Sequence, residues 1–276
     1  MQVRRVIAED GGVSPSRRLL LQALALAVAV VVGFAVLARV TRSDPPAVIG
    51  AAQDQPGPVL LVPGYGGATG ALEVLARKLQ AAGRTATVLT VPGDGTGDLA
   101  ASAAVVLAAA QAAVTAGAPS VDLVGYSAGG VIARYAVKEL GGASVVRRVV
   151  TLGSPHHGSK LAGVGAAFAP GACPLACQQL VPDGDFLDAL NDGDETPDGP
   201  LWLSLWTDQD KTVTPPDSAE LDGAVNVVLQ DVCGGAQITH SDLPRAPLVG
   251  GIVLTALSAD PLTAPEDCGA LTALGR

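Results

Sequence analysis

Between residues 59 and 152 the chain alternates short apolar runs with segments of helical character. Val59-Leu60-Leu61-Val62, Thr85–Val91, Val121-Asp122-Leu123-Val124 and Val145–Leu152 are the runs. Between them lie Ala71–Ala82, with Leu72, Leu75 and Leu79 on one stripe, the Ala-rich Leu99–Ala116, and Val131–Leu140. Strands that are apolar along their whole length suit burial on both faces. Helical crossovers between parallel strands supply that cover. The pattern predicts an α/β chain with a mostly parallel, doubly wound sheet. The rhythm stops near Lys160, and residues 160–200 are rich in Gly, Pro, Asp and Ala. A connection of that length reads as a short lid-like insertion. Regularity returns at Leu201–Trp206, Ala224–Leu229 and a helix within Pro247–Ser258.

Ahead of this body, residues 19–38 form an uncharged stretch whose one amide is Gln22, flanked by Arg17 and Arg18 before and by Arg39 and Arg42 after. At helical rise such a stretch covers about 30 Å, the thickness of a bilayer core. It reads as a signal peptide or an uncleaved signal-anchor helix. Ser16-Arg17-Arg18-Leu19-Leu20-Leu21 resembles a twin-arginine export signal, and Val36-Leu37-Ala38 offers a small-residue cleavage site. Residues 1–18 are then the cytoplasmic n-region, and 39–57 a linker, richest in Pro, Ala, Gly and Gln from Ser43 to Gly57. The body, 58–276, lies outside the cytoplasm, secreted or held at the membrane by its N-terminal helix.

Charge narrows the partners. The chain has 17 basic and 26 acidic side chains, and removing the first 42 residues leaves 11 basic against 24 acidic. That field repels phosphate backbones, which argues against nucleic acid as a partner. The four cysteines all lie in the exported part, where an even count reads as two disulfides. Cys173–Cys177 with Cys233–Cys268 is the expected pairing, since each bridge then closes one local loop. With three histidines and no C-x-x-C, the sequence offers no zinc site, and no metal or cofactor is expected.

Gly125-Tyr126-Ser127-Ala128-Gly129 follows the third strand and opens a helix. In a chain with 34 glycines the bare G-x-S-x-G pattern is weak evidence, but this setting is the one a nucleophile elbow requires. Glycines on both sides relieve a strained turn that lifts the Ser127 hydroxyl above the sheet edge. A serine nucleophile needs a base. His156 and His157 precede every plausible acid-bearing strand end, which leaves His240, in the loop after the last strand. The acid that orients it should lie after Leu201–Trp206, where Asp208 and Asp210 both stand. The residues alone do not choose between them. Two backbone N–H groups to hold an oxyanion are expected from Ala128 and from Tyr65, within the glycine-rich Pro63-Gly64-Tyr65-Gly66-Gly67.

Three segments together carry a family resemblance: Pro58–Gly67, Val121–Gly130 and Val150-Thr151-Leu152-Gly153-Ser154-Pro155-His156-His157-Gly158-Ser159. They resemble the class 2 secreted triacylglycerol lipases, small bacterial members of the α/β-hydrolase superfamily. The resemblance spans most of residues 58–260. It implies a reduced α/β-hydrolase fold, a monomeric catalytic domain, and hydrolysis of lipid or small acyl esters through an acyl-enzyme. It also implies Asp210 as the acid, from its place in Thr207–Val213, with His240 as base and Tyr65 and Ala128 as oxyanion donors. Many relatives have His-Gly where this chain has Pro63-Gly64, and His where it has Tyr126, so substrate preference is expected to differ. Tyr126 is then a candidate substrate contact. An acyl-chain wall is expected from Phe168, Leu175, Leu180, Phe186 and Leu187 in the insertion. An exported acyltransferase would use the same three side chains, and a catalytically silent envelope-binding protein is the reading outside enzymes.

Overall fold

The computed structural model describes residues 50–276 throughout and, before them, residues 19–22, 24, 26, 28, 30, 31 and 33. Those N-terminal positions are helical and exposed; the rest of the expected 19–38 segment, the n-region and the linker up to residue 49 lie outside the described residues. Among the described residues no helix is long and apolar enough to cross a membrane. The chain divides into two units, residues 1–47 and 48–276.

The larger unit carries six parallel strands in the order β2-β1-β3-β4-β5-β6. They are β1 (Val59–Val62), β2 (Ala86–Val88), β3 (Val121–Tyr126), β4 (Val146–Leu152), β5 (Leu201–Trp206) and β6 (Val225–Val228). Helices α1 (Gly70–Ala81), α2 (Leu99–Thr115) and α3 (Ala128–Lys138) make the first crossovers. Alternation along each strand feeds two cores. Leu60, Val62, Leu123 and Val149 point to one face, packed under α2 and α3. Val59, Leu61, Val124 and Val150 point to the other, against α1 and α8 (Pro247–Ala256). The sheet is thus covered on both sides, which is why its strands read as continuous apolar runs.

Differences from the sequence expectation have local causes. Strand β2 is shorter than Thr85–Val91, because only Ala86–Val88 registers with β1 before Pro92 and Gly93 turn the chain. Residues 160–200 hold three helices, α4 (Lys160–Phe168), α5 (Leu175–Gln178) and α6 (Asp185–Asn191). These are too short to establish a helical period. Helix α6 buries Leu187 and Leu190 in the main core, so the second half of this stretch belongs to the body rather than to a lid. After the short α7 (Leu229–Val232) and α8, the chain ends in α9 (Cys268–Leu274). The Cys233–Cys268 disulfide ties α9 down, with a Cα separation of 5.2 Å.

At the N-terminal ends of the central strands the sequence places charges in the interior. Asp122 on β3 receives a bidentate Arg147 from β4, at 2.9 and 2.7 Å, and Arg84 at 2.7 Å. Asp122 and Arg147 are completely buried. Both arginines also donate to the Leu257 carbonyl just past the end of α8. The C-terminal end of a helix favours cations, so the cluster clamps α8 to the sheet. Arg148 adds bonds to the Ala256 and Asp260 carbonyls. Asp122→Asn leaves a buried guanidinium without its charge partner, which should cost about 3–5 kcal/mol. Denaturant unfolding of wild type and variant measures it, and a loss below about 1 kcal/mol would show that the cluster is not acting as a clamp.

Candidate active site

Strand β3 ends at Tyr126 and α3 begins at Ala128, so Ser127 alone makes the turn between them. Its backbone lies at φ 54°, a left-handed value that side chains rarely adopt. The flanking glycines are sterically forced. A Cβ on Gly129 would sit 2.2 Å from the Val62 carbonyl oxygen, and one on Gly125 would sit 2.4 Å from the Gly130 Cα. Helix and strand pack so closely here that only glycine fits.

His240 Nε2 lies 3.0 Å from Ser127 Oγ, and His240 Nδ1 lies 2.6 Å from Asp210 Oδ2. The Asp210 carboxylate can only accept, so Nδ1 carries the proton and Nε2 presents its lone pair to the serine hydroxyl. Asp210 is buried, and its Oδ1 accepts the Thr212 and Val213 amides at 2.8 Å each. Asp208 is exposed, and among the described residues only its backbone amide is engaged, by Gln230. Of the two candidate acids the fold brings Asp210 to the histidine. His240 opens a short 3-10 turn in which the Asp242 carboxylate accepts both the amide and the hydroxyl of Thr239. The Thr239 hydroxyl in turn holds the Asp242 carboxyl below its usual range.

The Pro63–Gly67 loop presses on the serine: a Cβ on Gly64 would lie 2.9 Å from Ser127 Cβ. Among the described residues, the amides of Tyr65 and Ala128 donate to no protein acceptor. For Ala128 this follows from its place at the start of α3, where the first amides lack intrahelical partners. The expected donor pair is therefore unengaged and beside Ser127.

Tyr65 and Ser127 open into a largely apolar cleft of about 200 Å³. Pro155, Ala162, Cys177, Leu180 and Val213 supply apolar lining, with Leu161 at the rim. Ser159 and Thr212 contribute polar atoms, but the Ser159 hydroxyl is spent on the Thr212 carbonyl. Sequence reasoning passed over Ser159 and Thr212, whose pairing depends on contact between distant loops. Among the described residues no group of three or more His, Cys, Asp and Glu is arranged to hold a metal ion.

Residues 58–182, less than half of the chain, match the model of the palmitoyl protein thioesterase family. The structure is similar to Aspergillus fumigatus lipase B, with 24% identity and a TM-score of 0.65 over 84% of this chain. This chain spans 59% of that lipase's length. It is also similar to the mature Bacillus licheniformis lipase BlEst2, at 18% identity and a TM-score of 0.61, covering 78% of this chain and 96% of that one. This is the α/β-hydrolase fold. No curated protein matches the sequence.

Two expected substrate contacts lie outside the cleft lining. Phe168 is 84% exposed at the end of α4, away from the cleft lining. Tyr126 sits behind the histidine instead: its hydroxyl donates to the His240 carbonyl at 3.2 Å, and the two rings are 5.1 Å apart. Burial, with the Asp210 charge adding to it, pushes the Tyr126 hydroxyl up to about 12, so it remains a donor. Of the expected acyl wall only Leu180 lines the cleft. Leu175 is exposed, Leu187 is in the core, and Phe186 stacks on Tyr135.

The other histidines are engaged elsewhere. His156 is fully buried, 3.2 Å from the Thr151 hydroxyl, and burial holds its pKa well below the ordinary value. His157 bonds Glu195 at 2.9 Å, which raises its pKa above 6.5. Burial works against the Glu195 charge, but His157 and the Asp222 amide outweigh it and hold the carboxyl below 4.5. A raised histidine contributes stability below 6.5 that is lost as pH rises through its folded value. A depressed carboxylate loses its contribution only as pH falls below 4.5. The gap in melting temperature between wild type and His157→Gln should therefore be wider at about pH 5.5 than at about pH 9. Equal gaps at both would show that the pair does not contribute.

Proposed function

We propose that this protein is a serine-dependent carboxylic ester hydrolase of the lipase and esterase type. The observation that carries the reading is the continuous hydrogen-bonded chain from Asp210 through His240 to Ser127, opening on an apolar cleft. In this reading His240 Nε2 takes the Ser127 proton as Oγ attacks the ester carbonyl. The Tyr65 and Ala128 amides stabilise the oxyanion, and Asp210 stabilises the imidazolium. His240 then protonates the departing alcohol, and a water activated by the same nitrogen releases the acid. The proton transfers use Asp210, His240 and Ser127, which already lie within hydrogen-bond reach of one another.

Membership of the secreted triacylglycerol lipase class is the finer form of this proposal, supported by the Pro58–Gly67, Val121–Gly130 and Val150–Ser159 motifs. Thioester cleavage is the second reading, favoured by the family match over residues 58–182, and it would use the same side chains. We also place the body outside the cytoplasm, led or anchored by the apolar segment at 19–38. The two disulfides fit an oxidising compartment.

Turnover of p-nitrophenyl esters and of an acyl thioester by wild type and variants tests this. Ser127→Ala should remove at least about 10³-fold of kcat, and Asp210→Asn about 10⁴-fold, through loss of the correct tautomer. Asp208→Asn should stay within about twofold, as expected of an exposed aspartate outside the array. Undiminished turnover by Ser127→Ala would sink the proposal. Faster cleavage of the thioester than of the matching oxygen ester would favour the second reading.

A further inference from the structure

The cleft wall formed by α4 and α5 is held in an unusual way. Helix α4 contributes Leu161 and Ala162 to the cleft, yet none of its residues is buried. Its N-terminus is fixed by Ser159, whose hydroxyl accepts the Leu161 amide. Lys160 donates to the Thr214 carbonyl and Ala162 packs on the main core, and further along the helix the Cys173–Cys177 disulfide lies against it. A Cβ built on Gly165 would meet Cys177 Sγ at 3.4 Å and Cys173 Sγ at 3.9 Å, so the α4 backbone rests on the sulfurs. Cys177 Sγ is also 4.0 Å from the Ala162 carbonyl oxygen. Cys177 itself lines the cleft, beside Leu180, whose side chain is anchored in the main core. One bridge is therefore both a surface of the cleft and a prop for the adjoining α4 wall.

Pockets for drug-sized ligands occupy about 300–1,000 Å³. This cleft offers about 200 Å³. An apolar cavity of about 150 Å³ holds one benzene ring, so this cleft takes roughly six to eight non-hydrogen atoms. We propose that the Cys173–Cys177 disulfide, by fixing α4 against α5, sets the acyl-length limit of this site, so that the acyl group accepted is short, about four to six carbons. The proposal rests on the ester hydrolase reading and names the substrate class within it. A palmitoyl chain exceeds the cleft more than twofold in atoms, so the limit also separates this site from long-chain acyl substrates.

The test is a kcat/KM profile of the full chain over p-nitrophenyl esters from acetyl to palmitoyl, with fluorophosphonate labelling of Ser127 run in parallel. The expected profile peaks at butanoyl or hexanoyl and falls at least about tenfold by dodecanoyl, the scale of poorly accommodated methylenes. Replacing both Cys173 and Cys177 by Ala should raise the dodecanoyl-to-hexanoyl ratio about tenfold. The same replacement at Cys233 and Cys268 should leave that ratio where it was. Ala162→Leu narrows the cleft while keeping the bridge and should lower the hexanoyl-to-acetyl ratio about tenfold. If the Cys173/Cys177 variant does not fold, thiol reduction of the folded Cys233/Cys268 variant opens the remaining bridge, and the same dodecanoyl-to-hexanoyl ratio decides. A wild-type optimum at dodecanoyl or longer overturns the proposal, as does an unshifted ratio in a bridge variant that still labels. Those outcomes leave the ester hydrolase reading intact, whereas a wild-type chain that neither labels nor hydrolyses any ester overturns both.

Discussion

The backbone of Ser127 sits in a conformation that costs about 1–3 kcal/mol for a residue with a side chain, and much of the architecture serves to hold it there. Its amide donates to the Leu152 carbonyl at the end of β4, and its carbonyl accepts the Gly130 amide in the first turn of α3. Gly129 lies against the Val62 carbonyl at the end of β1. The turn is therefore gripped from both neighbouring strands and from the helix it starts. A central position in the sheet is what makes this grip available, because only there do parallel strands flank the turn on both sides. The same geometry brings the free N-terminal amides of α3 and the Pro63–Gly67 loop to the hydroxyl.

The aspartate and histidine come from separate loops, and direct bonds between those loops fix their meeting. The Thr207 hydroxyl donates to the Ile238 carbonyl, tying the start of the aspartate loop to the segment that leads into His240. Gln230 donates to the same Thr207 oxygen and to Ala236. Burying the Asp210 charge is tolerable because both carboxylate oxygens are used, one by two backbone amides and one by the imidazole. Charge-assisted bonds of this kind recover much of what dehydration takes away.

At the other end of the strands, the Asp122, Arg147 and Arg84 cluster solves a different problem. It holds the sheet to the end of α8, adding charge-assisted bonds to the apolar contacts that Ala256 and Leu257 make there. The molecule thus has a rigid ionic end and, at the carboxyl ends of the strands, a site assembled from loops. Open α/β sheets generally place ligands at that edge, where the helices and loops diverge and leave a crevice.

The sequence by itself determined the parallel α/β architecture, and it pointed to Ser127 and His240, which the fold brings within 3.0 Å of each other. Those features are written in local order: apolar runs of strand length, glycines on both sides of one serine, and three histidines of which two come too early in the chain. It also supported the Cys173–Cys177 and Cys233–Cys268 pairing, which the structure contains. Tertiary structure alone decided the rest. Asp208 and Asp210 are equivalent as residues in a polar loop, and only the turn that buries one and exposes the other separates them. Asp122 and Arg147 sit in strands where a charge could face solvent, and only the neighbouring strand shows that they face each other. The apolar content of the insertion points to Phe168, and the family resemblance to Tyr126, as substrate contacts, but a helix end turns one to water and the His240 carbonyl takes the hydroxyl of the other. Side-chain identity fixes what chemistry is available. Which groups meet depends on contacts between segments tens of residues apart, and these arise only when the sheet is assembled.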